Sequence, residues 1–131
     1  EQHQKNAFAI AKWLQKQPRV QYVLYPGLEN HPGYAISKAQ TTGFGGMISF
    51  AVDNAETARQ ILEGVKLIKF AESLGGTESL ITYPIRQTHT DLTAEECAEK
   101  GITDCLLRFS TGIEATQDLI DDLAQAFAAV E

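Results

Sequence analysis

The sequence predicts an α+β domain, a small and mainly antiparallel sheet with helices packed on one face. Three observations lead there. Segments with apolar residues at helical spacing alternate along the chain with short extended runs. Those runs are too short and too two-faced for a buried parallel sheet, whose strands read as continuous apolar stretches. The third is size: 131 residues, 44% apolar and 21% charged, suffice for one hydrophobic core but not two. No internal repeat, low-complexity tract or linker divides the chain, so residues 1–131 are expected to form a single domain.

Ala7, Ile10, Ala11 and Leu14 lie at helical spacing, and Pro18 bounds them, which predicts a helix over 3–16. Val20 to Tyr25 is β-branched and aromatic and closes on Pro26-Gly27, a short strand and turn. Residues 34–40 can form one or two helical turns after the loop at Asn30, Pro32 and Gly33. From Met47 to Val52 the side chains alternate at the strand period. Asp53 and Glu56 have the form of a capping box, opening a helix over 54–64 with Ala55, Ala58, Ile61 and Leu62 on one face. Leu67–Ala71 and Ser79–Tyr83 read as two short strands flanking a glycine turn. Thr93 and Glu96 repeat the capping box, and Gly101 stands where a left-handed terminator belongs. Cys105 to Ser110 alternates, with Leu107 and Phe109 on one face and Leu106, Arg108 and Ser110 on the other. The last helix takes Thr116 as its cap, carries Asp118, Asp121 and Asp122 in its first turns, and buries a stripe of Leu119, Ile120, Leu123, Phe127 and Val130.

Charge narrows the function. Eleven Lys and Arg against seventeen Asp and Glu give a net charge of −6, with no basic run to follow a phosphate backbone or an anionic bilayer. Neither nucleic acid nor a membrane is an expected partner. The longest apolar stretches fall far short of the roughly 20 residues that cross a bilayer. The chain opens on Glu1 and has no signal-like leader, so it reads as a segment of a longer cytoplasmic protein. Cys97 and Cys105 lack CxxC spacing and read as reduced thiols rather than zinc ligands.

Gly43-Phe44-Gly45-Gly46 leads into a strand rather than a helix, and lacks the GK[ST] ending of a phosphate loop, so it reads as a bend. His3, His31 and His89 have no partners at ligand spacing and read as structural. Arg108 stands out, because it lies inside an apolar strand. A guanidinium on a strand offers a rigid fork that matches a carboxylate, and spacing leaves two roles open: a structural salt bridge with one of the acids, or a receptor for an anionic ligand. Ser73, next to Gly75-Gly76, can offer a hydroxyl to the same anion.

The run AESLGGTESLITYP at 71–84, Thr88-His89, and LLRFSTGIE at 106–114 followed by Asp118-Leu119-Ile120 resemble one family. It comprises the pyridoxal-phosphate enzymes of cysteine and methionine metabolism: cystathionine γ-synthase, cystathionine γ- and β-lyases and O-acylhomoserine sulfhydrylases. YPGL at 25–28, His31-Pro32 and GFGGMISF at 43–50 fit the same family in the same order, so the resemblance covers nearly the whole chain. It implies the C-terminal domain of a fold-type I enzyme, with the large cofactor-binding domain lying outside these residues. Pyridoxal 5'-phosphate would be held mainly by that domain. No catalytic residue is expected here, because the Schiff-base lysine is absent and the surroundings of Lys38 do not match its motif.

By resemblance, Arg108 matches the arginine that binds the substrate α-carboxylate. Ser73 matches the serine beside it that helps position the cofactor lysine. Glu72 falls where γ-synthases and many γ-lyases carry glutamate toward the distal end of the substrate; some β-lyases carry tyrosine there and tryptophan after the serine, where this chain has Leu74. The implied parent is a cytoplasmic homo-oligomer, a tetramer of active dimers, acting on cystathionine or an activated homoserine, and the isolated segment would be inactive. The contrasting expectation is a non-enzymatic regulatory domain that binds an amino acid through Arg108.

Overall fold

In a computed structural model, which describes residues 1–131, the chain runs α1 (Gln2–Leu14), β1 (Val20–Leu24), α2 (Tyr34–Gln40), β2 (Met47–Val52), α3 (Ala55–Gly64), β3 (Lys69–Phe70), β4 (Leu80–Thr82), α4 (Pro84–Gln87), α5 (Ala94–Glu99), β5 (Leu106–Ser110) and α6 (Thr116–Ala128). The strands form one sheet in the order β1-β2-β5-β4-β3. Three of its pairings are antiparallel and β3–β4 is parallel. That parallel pair changes the meaning of the glycine turn: residues 71–79 do not close a hairpin but run back along the sheet to start the next strand in the same direction.

Period-two alternation sorts the sheet into two faces. Leu107 and Phe109 of β5, with Ile48 and Phe50 of β2 and Ile81 of β4, face α1, α3 and α6 and are fully buried against Ile10, Leu14, Ile61, Leu119 and Leu123. The opposite face carries Leu106, Arg108 and Ser110. Leu106 is covered by Cys97 and Ile102 with Ile85 and Leu92, a small second cluster supplied by the α4–α5 segment. Farther across, Tyr22 and Leu24 on the edge strand β1 are exposed and Ser49 and Arg108 are half-buried, so this face is only partly covered. No helix is long and apolar enough to cross a membrane.

Local chemistry explains most boundaries and corrects three readings. Asp53 does not cap α3: Asn54 does, its side chain accepting from the Thr57 N–H at 2.9 Å, while Asp53 pairs with Arg19. Thr116 is the first residue of α6 rather than its cap, and its hydroxyl donates to Asn6 on α1. Asp122 is not simply an acid matched to a helix dipole. It is buried and accepts the backbone N–H groups of Lys66, Leu67 and Ile68 at 2.8–3.2 Å, tethering the chain as it leaves α3 to α6. The Thr93–Glu96 box forms as read, with Gly101 at φ +70° beyond α5. α4 was not foreseen, although Pro84 suits a first helical position.

Candidate functional site

Arg108 sits mid-strand in β5, with Ser49 of β2 and Thr82 of β4 as its in-register neighbours on the open face. Its Nη2 donates to the Glu72 carbonyl oxygen at 2.9 Å and to Thr82 Oγ1 at 3.4 Å. No carboxylate lies within ion-pair reach of it; the ion pairs of the chain join Arg19 to Asp53 and Arg59 to Glu56 and Glu63. The structural salt bridge left open by spacing is therefore absent. Nε of Arg108 is buried without an acceptor, the one side-chain nitrogen or oxygen in that condition. An unmet buried donor costs about 1–3 kcal/mol, and Nη1 likewise has no acceptor within the chain. The folded chain thus presents a fixed cation with unspent N–H donors.

The other candidates sit on the bend that the parallel crossover creates. Thr82 Oγ1 donates to the Ala71 carbonyl at 2.6 Å, Arg108 holds Glu72, and the Gly75 N–H donates to Ser110 Oγ at 2.8 Å. Gly75 takes φ +75°, which favours glycine there. Beyond it Ser79 is tied down, its N–H and hydroxyl both donating to the Glu114 carboxylate and its oxygen accepting from the Gly112 N–H. Between these clasps Glu72, Ser73 and Leu74 are exposed, and neither the Glu72 carboxylate nor the Ser73 hydroxyl is engaged within the chain. The structure therefore brings Glu72 to the guanidinium of Arg108 through its main chain, with Ser73 the next residue along the bend. A cavity of about 290 Å³ beside the bend is lined by Met47, Leu74, Gly75 and Ser110. The largest depression, about 460 Å³, lies instead along the β1 edge and holds no acid, base or cation.

Thr82 and Ser110 escaped the sequence reading as site residues. Their signal was parity: in β5 residue 110 shares a face with 108, and register sets Thr82 beside Arg108 and Leu80 beside Ser110. The remaining motifs are absorbed by the fold. The Gly43–Gly46 segment feeds β2, with the Gly45 carbonyl accepting from the Tyr25 hydroxyl at 2.9 Å and the Gly46 carbonyl from the Thr111 N–H. Burial pushes the Tyr25 phenol up to about 12. His31 Nδ1 accepts from the Gly33 N–H, His3 bonds the Thr111 carbonyl and His89 bonds the Thr88 hydroxyl.

The profile described as Cys/Met metabolism PLP-dependent enzyme matches residues 1–128. A cystathionine gamma-lyase of Dictyostelium discoideum is 51% identical over 127 residues, 96% of this chain and 33% of the relative. A cystathionine gamma-synthase of Haemophilus influenzae is 48% identical over 126 residues, 96% of this chain and 30% of the relative. Among solved structures, the cystathionine gamma synthase from Xanthomonas oryzae pv. oryzae in complex with aminoacrylate and cysteine superposes with a TM-score of 0.93 at 45% identity, over 97% of this chain and 33% of that one. The chain spans about a third of the length of the relatives it matches.

Proposed function

The chain belongs to the Cys/Met metabolism PLP-dependent enzyme family, and from that premise we propose that residues 1–131 are the C-terminal, substrate-carboxylate-binding domain of a transsulfuration enzyme. The parent would be a cystathionine γ-synthase or cystathionine lyase, acting on cystathionine or an activated homoserine. The observation that carries this reading is the condition of Arg108, gripped at Nη2 by the Glu72 carbonyl and left without acceptors at Nε and Nη1 on an open sheet face. A fixed guanidinium whose Nη1 has no acceptor in the chain suits an α-carboxylate as a charge-assisted hydrogen-bond partner.

Clamping the carboxylate restricts rotation about the bonds to Cα, so the bond to be broken is held in a productive alignment. That is orientation, supplied by this chain. In this reading Ser73 offers a hydroxyl to the same end of the substrate and the Glu72 carboxylate serves its distal end, as the resemblance implies. Pyridoxal 5'-phosphate, when bound, supplies the electron sink for the reaction. The residues present fit the substrate end rather than that group: the buried unmet donor is a single guanidinium N–H, and no helix N-terminus accompanies it to cradle a phosphate. The cofactor would be held mainly outside this chain, with Ser73 near the lysine that carries it, as the resemblance implies. Lys38, whose ammonium lies 5.6 Å from the Tyr34 ring centre, has no part in it.

The same reading makes the intact protein a cytoplasmic homotetramer and the isolated segment inactive. Nothing favours the regulatory-domain alternative. The test uses the full-length protein, assayed on cystathionine and on O-acylhomoserine plus cysteine. Arg108→Ala should lower kcat/KM by about two orders of magnitude or more, a few kcal/mol of transition-state stabilisation. Unchanged kinetics in that variant would remove the assignment.

A further inference from the structure

We infer that Thr82 is a positioning residue for Arg108, acting through both the guanidinium and the carbonyl that grips it. The inference rests on Arg108 as the carboxylate receptor. Thr82 is 1% exposed, and its hydroxyl stands between two partners, donating to the Ala71 carbonyl at 2.6 Å and accepting from Arg108 Nη2 at 3.4 Å. A hydroxyl has one hydrogen and two lone pairs. With the hydrogen committed to Ala71, a lone pair faces the cation, so the contact is attractive and has a fixed direction. Nη2 is then shared between this oxygen and the Glu72 carbonyl at 2.9 Å. A guanidinium is planar, so holding one terminal nitrogen at two points sets the plane of the whole group and the aim of Nε and Nη1.

The longer contact is the one to Arg108, and the shorter one explains how a weak bond matters. Ala71 immediately precedes Glu72, so the Thr82 hydroxyl pins the peptide whose neighbour supplies the gripping carbonyl. Ser110 fastens the far side of the same bend at Gly75 but makes no contact with the guanidinium. Thr82 alone touches both the bend and the cation. A packing role would be met equally by valine, which has the same shape and the same preference for strands. Only the hydroxyl separates the two roles.

The experiment compares Thr82→Val, Thr82→Ser and Arg108→Lys in the full-length enzyme. Thr82→Val should raise KM for the amino-acid substrate about tenfold, roughly the worth of one hydrogen bond, with kcat changed less than about twofold. Thr82→Ser should restore the wild-type value. As a binding readout, the inhibition constant of an unreactive α-amino acid should weaken in Thr82→Val, while that of the corresponding amine lacking the carboxylate should not move. If Thr82→Val does not fold, Thr82→Ala carries the same comparison. Equal KM in Thr82→Val and wild type, or equal weakening of acid and amine, overturns the inference. If Arg108→Lys also leaves carboxylate binding intact, the underlying reading fails as well; if Arg108→Lys abolishes it while Thr82→Val does not, the inference alone falls.

Discussion

Replacing Asp122 by alanine strips a common acceptor from three consecutive backbone N–H groups. Those of Lys66 and Leu67 lie near the surface and can turn to water, at about half a kcal/mol each. The Ile68 N–H is buried, its bond to Asp122 is 2.8 Å long, and leaving it unmet costs about 2 kcal/mol. The sum is about 3 kcal/mol. Asp122→Asn keeps one acceptor oxygen but turns an amide N–H₂ toward the same donors, for a loss of about 2 kcal/mol. The chain carries its own reporter: Trp13, its single tryptophan, packs edge-on to Phe127 of α6 at 5.5 Å between ring centres. Denaturant unfolding followed by tryptophan fluorescence should show a lower midpoint with an unchanged slope in both variants. A loss below about 1 kcal/mol for Asp122→Ala, or an asparagine variant as stable as wild type, would refute the view that these three bonds tie the α3–β3 connection to α6.

Gly112→Ala places a methyl group 2.4 Å from the Thr77 carbonyl oxygen and 2.7 Å from the Glu78 carbonyl carbon, backbone atoms that cannot swing aside. We expect a loss of about 3 kcal/mol by thermal unfolding, whereas Gly76→Ala, with open space around it, should cost under about 1 kcal/mol. The Tyr25 phenol is raised from 10.0 to about 12 because burial disfavours its anion, so its contribution to stability is complete below pH 10 and is lost as pH rises toward 12. Ultraviolet titration should find Tyr25 ionising only with unfolding; Tyr25→Phe should remove that alkaline step and cost about 1 kcal/mol at neutral pH through the lost bond to Gly45. The Thr93 N–H, and then the Thr93 side chain, hold the Glu96 carboxyl below its usual range. A depressed acid stabilises above its unfolded value and ceases to as pH falls through the folded one, so the protection of α5 amides, relative to their intrinsic exchange at each pH, should fall as the solution is acidified below the usual carboxylate range, and Glu96→Gln should abolish that dependence.

What could be read from the residues was whatever local chemistry dictates. Alternation in Met47–Val52 and Leu106–Ser110 gave two central strands and their faces, and the Thr93–Glu96 pair gave a cap with its partner. Where two residues compete for one role, local pattern does not decide: Asp53 and Asn54 are both good caps, and the reach of Asp53 to Arg19 across 34 residues settles which one serves. Asp122 looked like a dipole-matched acid because its true partners lie more than 50 positions away. The parallel direction of β3 was invisible for a similar reason, since a two-residue strand carries no directional signal and only the sheet assigns its partner. At the candidate site, Arg108 announced itself as a cation within an apolar strand. Its main anchor, the carbonyl of Glu72, left no trace, because every residue has one.

That anonymity bears on how the site can change over time. An anchor made of peptide oxygen is indifferent to the side chain it belongs to, so mutation at position 72 can change what the bend displays while the cation stays seated. Leu74, exposed and bonded to nothing that grips the arginine, has the same liberty. Under the proposed function, seating of the carboxylate receptor is thereby mechanically decoupled from whatever the exposed side chains of the bend contact, so one can change without dismantling the other.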